Sequence, residues 1–305
     1  MQLKGAGNMR EKRVDLKIPA YVRETLTALE TAGHQAYCVG GCVRDSLLGR
    51  MPEDWDVTTS ALPEETMKVF GNRAIPTGLK HGTVTVCCQE GKVETTTFRR
   101  DGVYADHRHP EQVTFTPDLT EDLARRDFTI NAMAYNEKEG LVDPFGGQAD
   151  LQSGIVRAVG VPRQRFTEDA LRILRLYRFA ARFGFAIDPP TAQAAQELCA
   201  HLDCVSVERI EEELAKLLAA PAPAAYLDKK ILLVILPELS SEALAAAKPV
   251  VDACPAGAEN LSIRLAALLY SLGEDGIRRT LKRLRCSNAL IEEAAVLVRE
   301  ARGCD

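Results

Sequence analysis

The sequence predicts an α+β protein: a head built on a mixed β-sheet, followed by an all-helical remainder. Two observations predict it. Over the first 150 residues, short β-branched and apolar runs at 35–41, 55–60, 83–88 and 93–98 alternate with helical stretches. After Gly160 the apolar residues recur almost everywhere at helical spacing, with Ala-rich stretches and few strand signals. Composition agrees, since 305 residues with 46% hydrophobic and 27% charged side chains describe a globular chain of two domains or three small ones. No apolar run approaches the roughly 18 residues of a membrane span. The opening MQLKGAGNMREKR has no apolar core, so no secretory signal is expected. Nine cysteines without a CxxC pair predict reduced thiols and a cytoplasmic setting, not a disulfide frame or zinc site. A net charge of −5 argues against indiscriminate coating of nucleic acid, while leaving room for a local basic surface.

The elements follow in order. Residues 14–34 read as a helix with Val22, Leu26 and Leu29 on one face and Gly33 at its C-cap. QAYCVGG is a buried strand running into two glycines, and CVRDSLLGR a short helix after them. WDVTTS is a second strand, and Pro63 suits the first turn of the helix that follows. TVTVCC and VETTTF alternate around QEGK, a hairpin signal. Residues 99–118 read as a polar loop, and a helix is expected over 120–136 with Thr120 as N-cap. Helices are then expected at 167–183, 190–201, 206–220, 241–247 and 260–302, with PAPAAYLDKK (221–230) as a hinge. The domains implied are 14–150, 151–220 and 221–305.

Three features carry chemistry. Asp54 and Asp56 flank Trp55 on a predicted strand, where residues two apart share a face. Two carboxylates so placed repel unless a cation neutralises them, and Mg²⁺ held between them suits phosphoryl transfer. Upstream, VGGCVRD puts glycines at a strand-to-helix junction, where backbone N–H groups and the helix dipole favour a phosphate, with Arg44 one turn in. This is neither a dinucleotide fingerprint nor a P-loop. The third is an arginine-rich segment, 157–182, with seven arginines against two acids. On a helix from Glu168 to Arg182, Ala170, Ile173, Leu174 and Tyr177 form the apolar arc, and Arg172, Arg175, Arg178 and Arg182 another beside Glu168. Arginine's planar fork suits carboxylates, phosphates and base edges.

VGGCVRDSLLGRMPEDWDVTTSALPEE resembles the signature of the DNA polymerase β-type nucleotidyltransferases, in the class II tRNA nucleotidyltransferase and bacterial poly(A) polymerase family. EDLARRDFTINAMAYN, the stretch 141–185 and VSVERIEEELAKLL resemble the family's later motifs in the family's order. The resemblance implies a polymerase β-type head, then a helical neck and body. It also implies addition of C and A from CTP and ATP to the 3′ end of tRNA. By position it assigns Asp54 and Asp56 to the metal, Gly41, Arg44 and Arg126 to the triphosphate, and Asp127 and Asn131 to the ribose and local backbone. Asp169 and Arg172 match a protein template for the base, with Glu168, Arg175 and Arg178 on the same element. A carboxylate beside a guanidinium complements the donor–acceptor order of cytosine and adenine and opposes that of uracil and guanine. Glu94, after the hairpin turn, offers a third carboxylate across the sheet.

Residues 221–305 are few for the body and tail the resemblance implies, so this region reads as shortened. Tyr270-Ser271 stand where some relatives carry an HD hydrolase pair, and a second hydrolytic activity is not expected. The five histidines show no metal-binding spacing, and His107 and His109 read as surface residues. Poly(A) synthesis, CC-only or A-only addition, and a non-enzymatic tRNA-binding role stay open on sequence alone.

Overall fold

The computed structural model describes residues 15–102 and 113–303. Its contacts divide the chain into two units, the first formed by 15–99, 115–123 and 131–148, the second by the remaining described residues.

In chain order the first unit holds α1 (Ala20–Thr31), β1 (Ala36–Val39), α2 (Gly41–Leu47), β2 (Asp56–Thr59), α3 (Pro63–Phe70), β3 (Ala74–Gly78), β4 (Thr83–Cys87) and β5 (Lys92–Thr97). β6 (Arg99–Asp101) and β7 (Val113–Phe115), a two-stranded pair, fall mostly in the second unit, and the first resumes with α4 (Leu119–Ala124), β8 (Ala134–Asn136) and β9 (Gly140–Val142). Seven strands form one mixed sheet in the order β3-β4-β5-β2-β1-β8-β9, with β2 and β5 parallel and the other neighbours antiparallel. The β4–β5 hairpin closes through Cys88 N–H donating to the Gly91 carbonyl at 2.8 Å. In β5 the alternation is strict: Val93, Thr95 and Thr97 are buried, while Lys92 and Glu94 are exposed. Pro63 opens α3, and the Glu65 carboxylate accepts from the Leu62 N–H at 2.8 Å.

The expected helix over 120–136 is a correction. Only α4 and a short 3₁₀ turn (Thr129–Asn131) form, α4 opened by the Asp118 carboxylate accepting from Thr120 N–H at 2.7 Å, so Asp118 caps it rather than Thr120. Past Ala124 tertiary pairing overrides helical spacing. Thr129 N–H donates to the Arg157 carbonyl and Val159 N–H to that of Asp127, while Ala134 and Tyr135 join β1 as register partners of Val39 and Cys38. Asp127 and Asn131 therefore do not share one helix. In the segment expected as a polar loop, β6 and β7 form, and residues 103–112, with His107 and His109, lie outside the described residues.

The second unit contains α5 from Ala149 on (the helix spans Gly147–Ser153), β10 (Ile155–Val156), α6 (Pro162–Glu168), α7 (Leu171–Phe183), β11 (Ala186–Ile187), α8 (Pro189–Leu198), α9 (Val207–Leu218), α10 (Lys229–Ile235), α11 (Ser241–Ala253), α12 (Leu261–Leu269), α13 (Gly273–Arg283) and α14 (Asn288–Gly303). The single helix expected over 260–302 is three, parted near Gly273 and Arg285, both with positive φ. Phe128, Phe166, Ile173, Leu174 and Leu202 are fully buried in this unit. Arg264 is fully buried with them, its guanidinium donating to the carbonyls of Leu218, Ala220, Cys254 and Pro255. It thereby satisfies the Leu218 carbonyl that ends α9, which no helical N–H reaches. Among the described residues, no helix is long and apolar enough to cross a membrane.

Candidate active site

Strand β2 begins at Asp56; Asp54 precedes it in a bend, which corrects the expectation that both lie on the strand. Strand pairing starts only at Asp56, the register partner of Glu94, with Val57 opposite Cys38 of β1. The alternation nevertheless extends back: Asp54 is exposed, Trp55 is buried and Asp56 is half-buried, so the two carboxylates share the side away from the indole. Because β2 and β5 are parallel and in register, Glu94 stands on that same side beside Asp56.

Three carboxylates thus border one end of the sheet, a set of hard oxygen donors suited to a divalent cation. Among the described residues, no three His, Cys, Asp or Glu side chains are gathered tightly enough to form a complete metal cage. That is compatible with Mg²⁺, which is commonly held by one or two carboxylates and completes its octahedron with water and substrate phosphates.

The glycine turn adjoins this edge. Gly40 has φ 76° and ψ −124°, a conformation open to glycine, and its N–H donates to the Met133 carbonyl at 3.1 Å. Gly41 then opens α2, one residue before Cys42, whose thiol donates to the Val39 carbonyl at 3.4 Å and the Asp56 carbonyl at 3.7 Å. The turn is thereby tied to the first residue of β2. Buried beside it, the Cys38 thiol is held well above the usual thiol range by its hydrogen bond with Cys42 and by burial. Arg44 is 4% exposed and donates to the Asp45 carboxylate at 2.8 Å and to the Asn131 side-chain carbonyl. Gly41, Arg44 and Asn131 are therefore brought together, with Asp45 as the partner that sequence reading missed.

Asp122, fully buried on α4, was also missed. Its carboxylate accepts from the Thr58 hydroxyl at 3.1 Å and the Arg99 N–H at 3.3 Å, bracing β2 two residues after Asp56. Tyr21 of α1 is a further neighbour: burial, Cys88 and Asp54 together push its phenol up.

In the second unit the expected helix from Glu168 to Arg182 is broken. Asp169 has φ −142° and ψ 105°, and its Oδ1 accepts from Leu171 N–H at 3.1 Å, so it starts α7 instead of continuing α6. The arginine arc is not a solvated face. Arg172 and Arg178 are buried, and carboxylates meet each of the first three arginines. Arg172 donates to Glu168 Oε2 at 2.8 Å and to the carbonyls of Arg165 and Arg125, while Arg165 takes Glu168 Oε1 at 2.5 Å. Arg175 donates twice to Asp127 Oδ2, at 2.9 and 2.7 Å, and lies 3.5 Å from Glu213. Arg178 donates to Glu213, and burial lowers its guanidinium pKa. Asp169 pairs with Arg209 of α9, not with the Arg172 side chain. Arg126 is half-buried next to Arg125.

Sequence reading missed Glu213 and Arg209. For Glu213 a signal existed, since it falls on the arc of Ile210, Leu214 and Leu217, where an acid must be buried and needs a cation. For Arg209, one charge among several on an exposed-looking turn, there was none.

Residues 36–157 match the model of the poly(A) polymerase head domain, and 184–242 that of a probable RNA- and SrmB-binding site of polymerase A. A Bacillus stearothermophilus CCA-adding enzyme, solved in complex with CTP, superposes with a TM-score of 0.79 at 37% identity, covering 93% of this chain and 70% of its own. A CCA-adding enzyme of Lactiplantibacillus plantarum is 48% identical over 202 residues, 66% of this chain and 49% of the relative, so the chain spans about half of that protein's length. The Streptococcus suis CCA-adding enzyme is 41% identical across 92% of this chain and 71% of its own length, and at that extent of agreement the chain belongs to the family of CCA-adding enzymes.

Proposed function

We propose that this protein transfers nucleotides from CTP and ATP to the 3′ end of tRNA, building or repairing the CCA terminus. The observation that carries the reading is the carboxylate edge: Asp56 and Glu94 as register partners on parallel strands, Asp54 beyond buried Trp55, and the Gly40–Gly41 turn tied to Asp56 through Cys42. Enzymes of this family generally use divalent metal ions, and the finer assignment is Mg²⁺, which when bound would stabilise the negative charge that develops during transfer. Asp54 and Asp56 would hold it, with Glu94 in support. The Gly41 backbone N–H donates to the triphosphate, with Arg44 and Asn131 fixing the turn. The tRNA 3′-hydroxyl attacks the α-phosphorus and pyrophosphate leaves.

In this reading 14–150 is the catalytic head, 151–220 the neck that selects the base and 221–305 a helical body. Asp169 and Arg172 present acceptor and donor to the base, and Glu168 orients Arg172. Asp127, Arg175 and Arg178 act by holding the neck helices in register.

The test is nucleotide omission. With tRNA lacking its terminal CCA, CTP alone should add two residues, CTP with ATP three, and UTP or GTP none. Long A tracts from ATP alone would favour a poly(A) polymerase, and tRNA binding without incorporation would sink the enzymatic reading.

A further inference from the structure

We infer that Tyr21, in the first turn of α1, is a positioning residue for the metal-binding edge: its hydroxyl is the donor that holds the Asp54 carboxylate when a divalent cation is bound. The inference rests on the nucleotidyl-transfer reading and adds to it a residue that precedes every motif carrying the family resemblance.

The first turn of α1 is fastened to the β4–β5 turn. Thr25 Oγ1 donates to the Tyr21 carbonyl at 3.0 Å, and the Cys88 thiol donates to the same carbonyl at 3.8 Å. Cys88 N–H in turn donates to the Gly91 carbonyl at 2.8 Å. The Tyr21 ring lies on Gly91 itself: a Cβ there would come within 3.0 and 3.1 Å of two ring carbons and 3.4 Å of the hydroxyl oxygen. Glycine at 91 is therefore a requirement of close approach. Lys92 follows and opens β5, two residues before Glu94, the register partner of Asp56. The phenol thus stands at the end of the sheet where the carboxylates lie. Burial, then Cys88 and Asp54, push it up, so it is a protonated donor at neutral pH.

Both groups are unspent. Among the described residues, no hydrogen bond engages the Tyr21 hydroxyl, and no hydrogen bond or ion pair engages the Asp54 carboxylate. Asp54 also lies in a bend ahead of β2, where no ladder partner fixes its backbone, whereas Asp56 is paired with Glu94. A carboxylate that gives one oxygen to a cation keeps the other as an acceptor, and a donor there fixes its orientation. A neutral phenol supplies that bond without the repulsion a lysine or arginine would direct at the cation.

The test is Mn²⁺ binding to the full chain without nucleotide, read as loss of the free-ion electron paramagnetic resonance signal. Mg²⁺ titration of CTP incorporation into tRNA lacking CCA runs beside it. The proteins are wild type, Tyr21→Phe, Asp54→Ala and, as a control phenol in the second unit, Tyr226→Phe. Tyr21→Phe keeps the ring on Gly91 and removes only the hydroxyl. It should weaken Mn²⁺ binding about tenfold and raise the Mg²⁺ midpoint by the same factor, the usual worth of a hydrogen bond to a metal ligand. Its Tm should be unaltered, and excess Mg²⁺ should restore its kcat. Tyr226→Phe should match wild type in both measurements. Unchanged Mn²⁺ affinity in folded Tyr21→Phe, or a loss of incorporation that excess Mg²⁺ does not restore, overturns the inference while leaving the transfer reading standing. Wild type that binds Mn²⁺ no better than Asp54→Ala overturns the metal assignment itself, and the inference with it.

Discussion

Replacing Arg264 by methionine isolates what one buried guanidinium does for the helical unit. The side chain is fully buried and spans the end of α9 and the 254–255 turn, donating to Pro255 at 2.8 Å and Cys254 at 2.9 Å, and to Leu218 and Ala220. Arg264→Met keeps the length of the side chain and most of its packing but removes every donor. The carbonyls remain, because they are main chain, and each orphaned acceptor costs roughly 1–3 kcal/mol. With four of them left without a donor, at the low end of that range because relaxation and water entry recover part, the net loss should be about 4 kcal/mol. For a unit of this size that lowers Tm by roughly 8–16 °C. Thermal and urea unfolding followed by far-ultraviolet circular dichroism read it directly, with Arg264→Lys expected between the two. A shift below about 3 °C would refute the reasoning, since it would mean that the carbonyls find other donors at no cost.

Glu94→Gln should weaken Mg²⁺-dependent incorporation about tenfold to a hundredfold and move the Mg²⁺ titration to higher concentration, as loss of a supporting carboxylate does elsewhere. An unchanged titration would remove Glu94 from the metal's surroundings. For Cys286, burial and Glu211 raise the thiol from 9.0 to about 11. The folded state therefore holds this proton more tightly than the unfolded chain: its stabilising contribution is full below pH 9 and is lost as pH rises through 11. Alkylation of Cys286 by iodoacetamide should stay slow at pH 9 and accelerate toward pH 11, and a midpoint at 9 would contradict the burial argument.

Much of the fold was legible in the sequence because period and punctuation agreed. β1, β2, the β4–β5 hairpin and α9 lie where alternation, glycines and apolar spacing put them. What was missed was decided by distant partners. The 125–136 stretch has helical spacing, yet its backbone pairs with β1 and with residues 157–159, which no local window reveals. The break at Asp169 has a local cause, a carboxylate capping the next helix, but an acid inside an otherwise amphipathic run gives no warning of it. At the site, sequence reading found the residues whose chemistry is rare, the Asp54–Asp56 pair and the glycine turn. It could not tell which charges would be spent on each other. Arg175 and Arg178 look like anion-binding arginines in sequence, and in the structure Asp127 and Glu213 occupy them.

The central claim is that the carboxylate edge performs nucleotidyl transfer. The most direct measurement is Mg²⁺-dependent incorporation of α-labelled CTP into tRNA lacking CCA, for wild type, Asp54→Ala and Asp56→Ala, with circular dichroism confirming that each variant is folded. Wild type should add two C residues. Each variant should lose at least about a thousandfold in rate, equivalent to several kcal/mol of transition-state charge stabilisation, at unaltered thermal stability. Incorporation within tenfold of wild type by either folded variant would contradict the account.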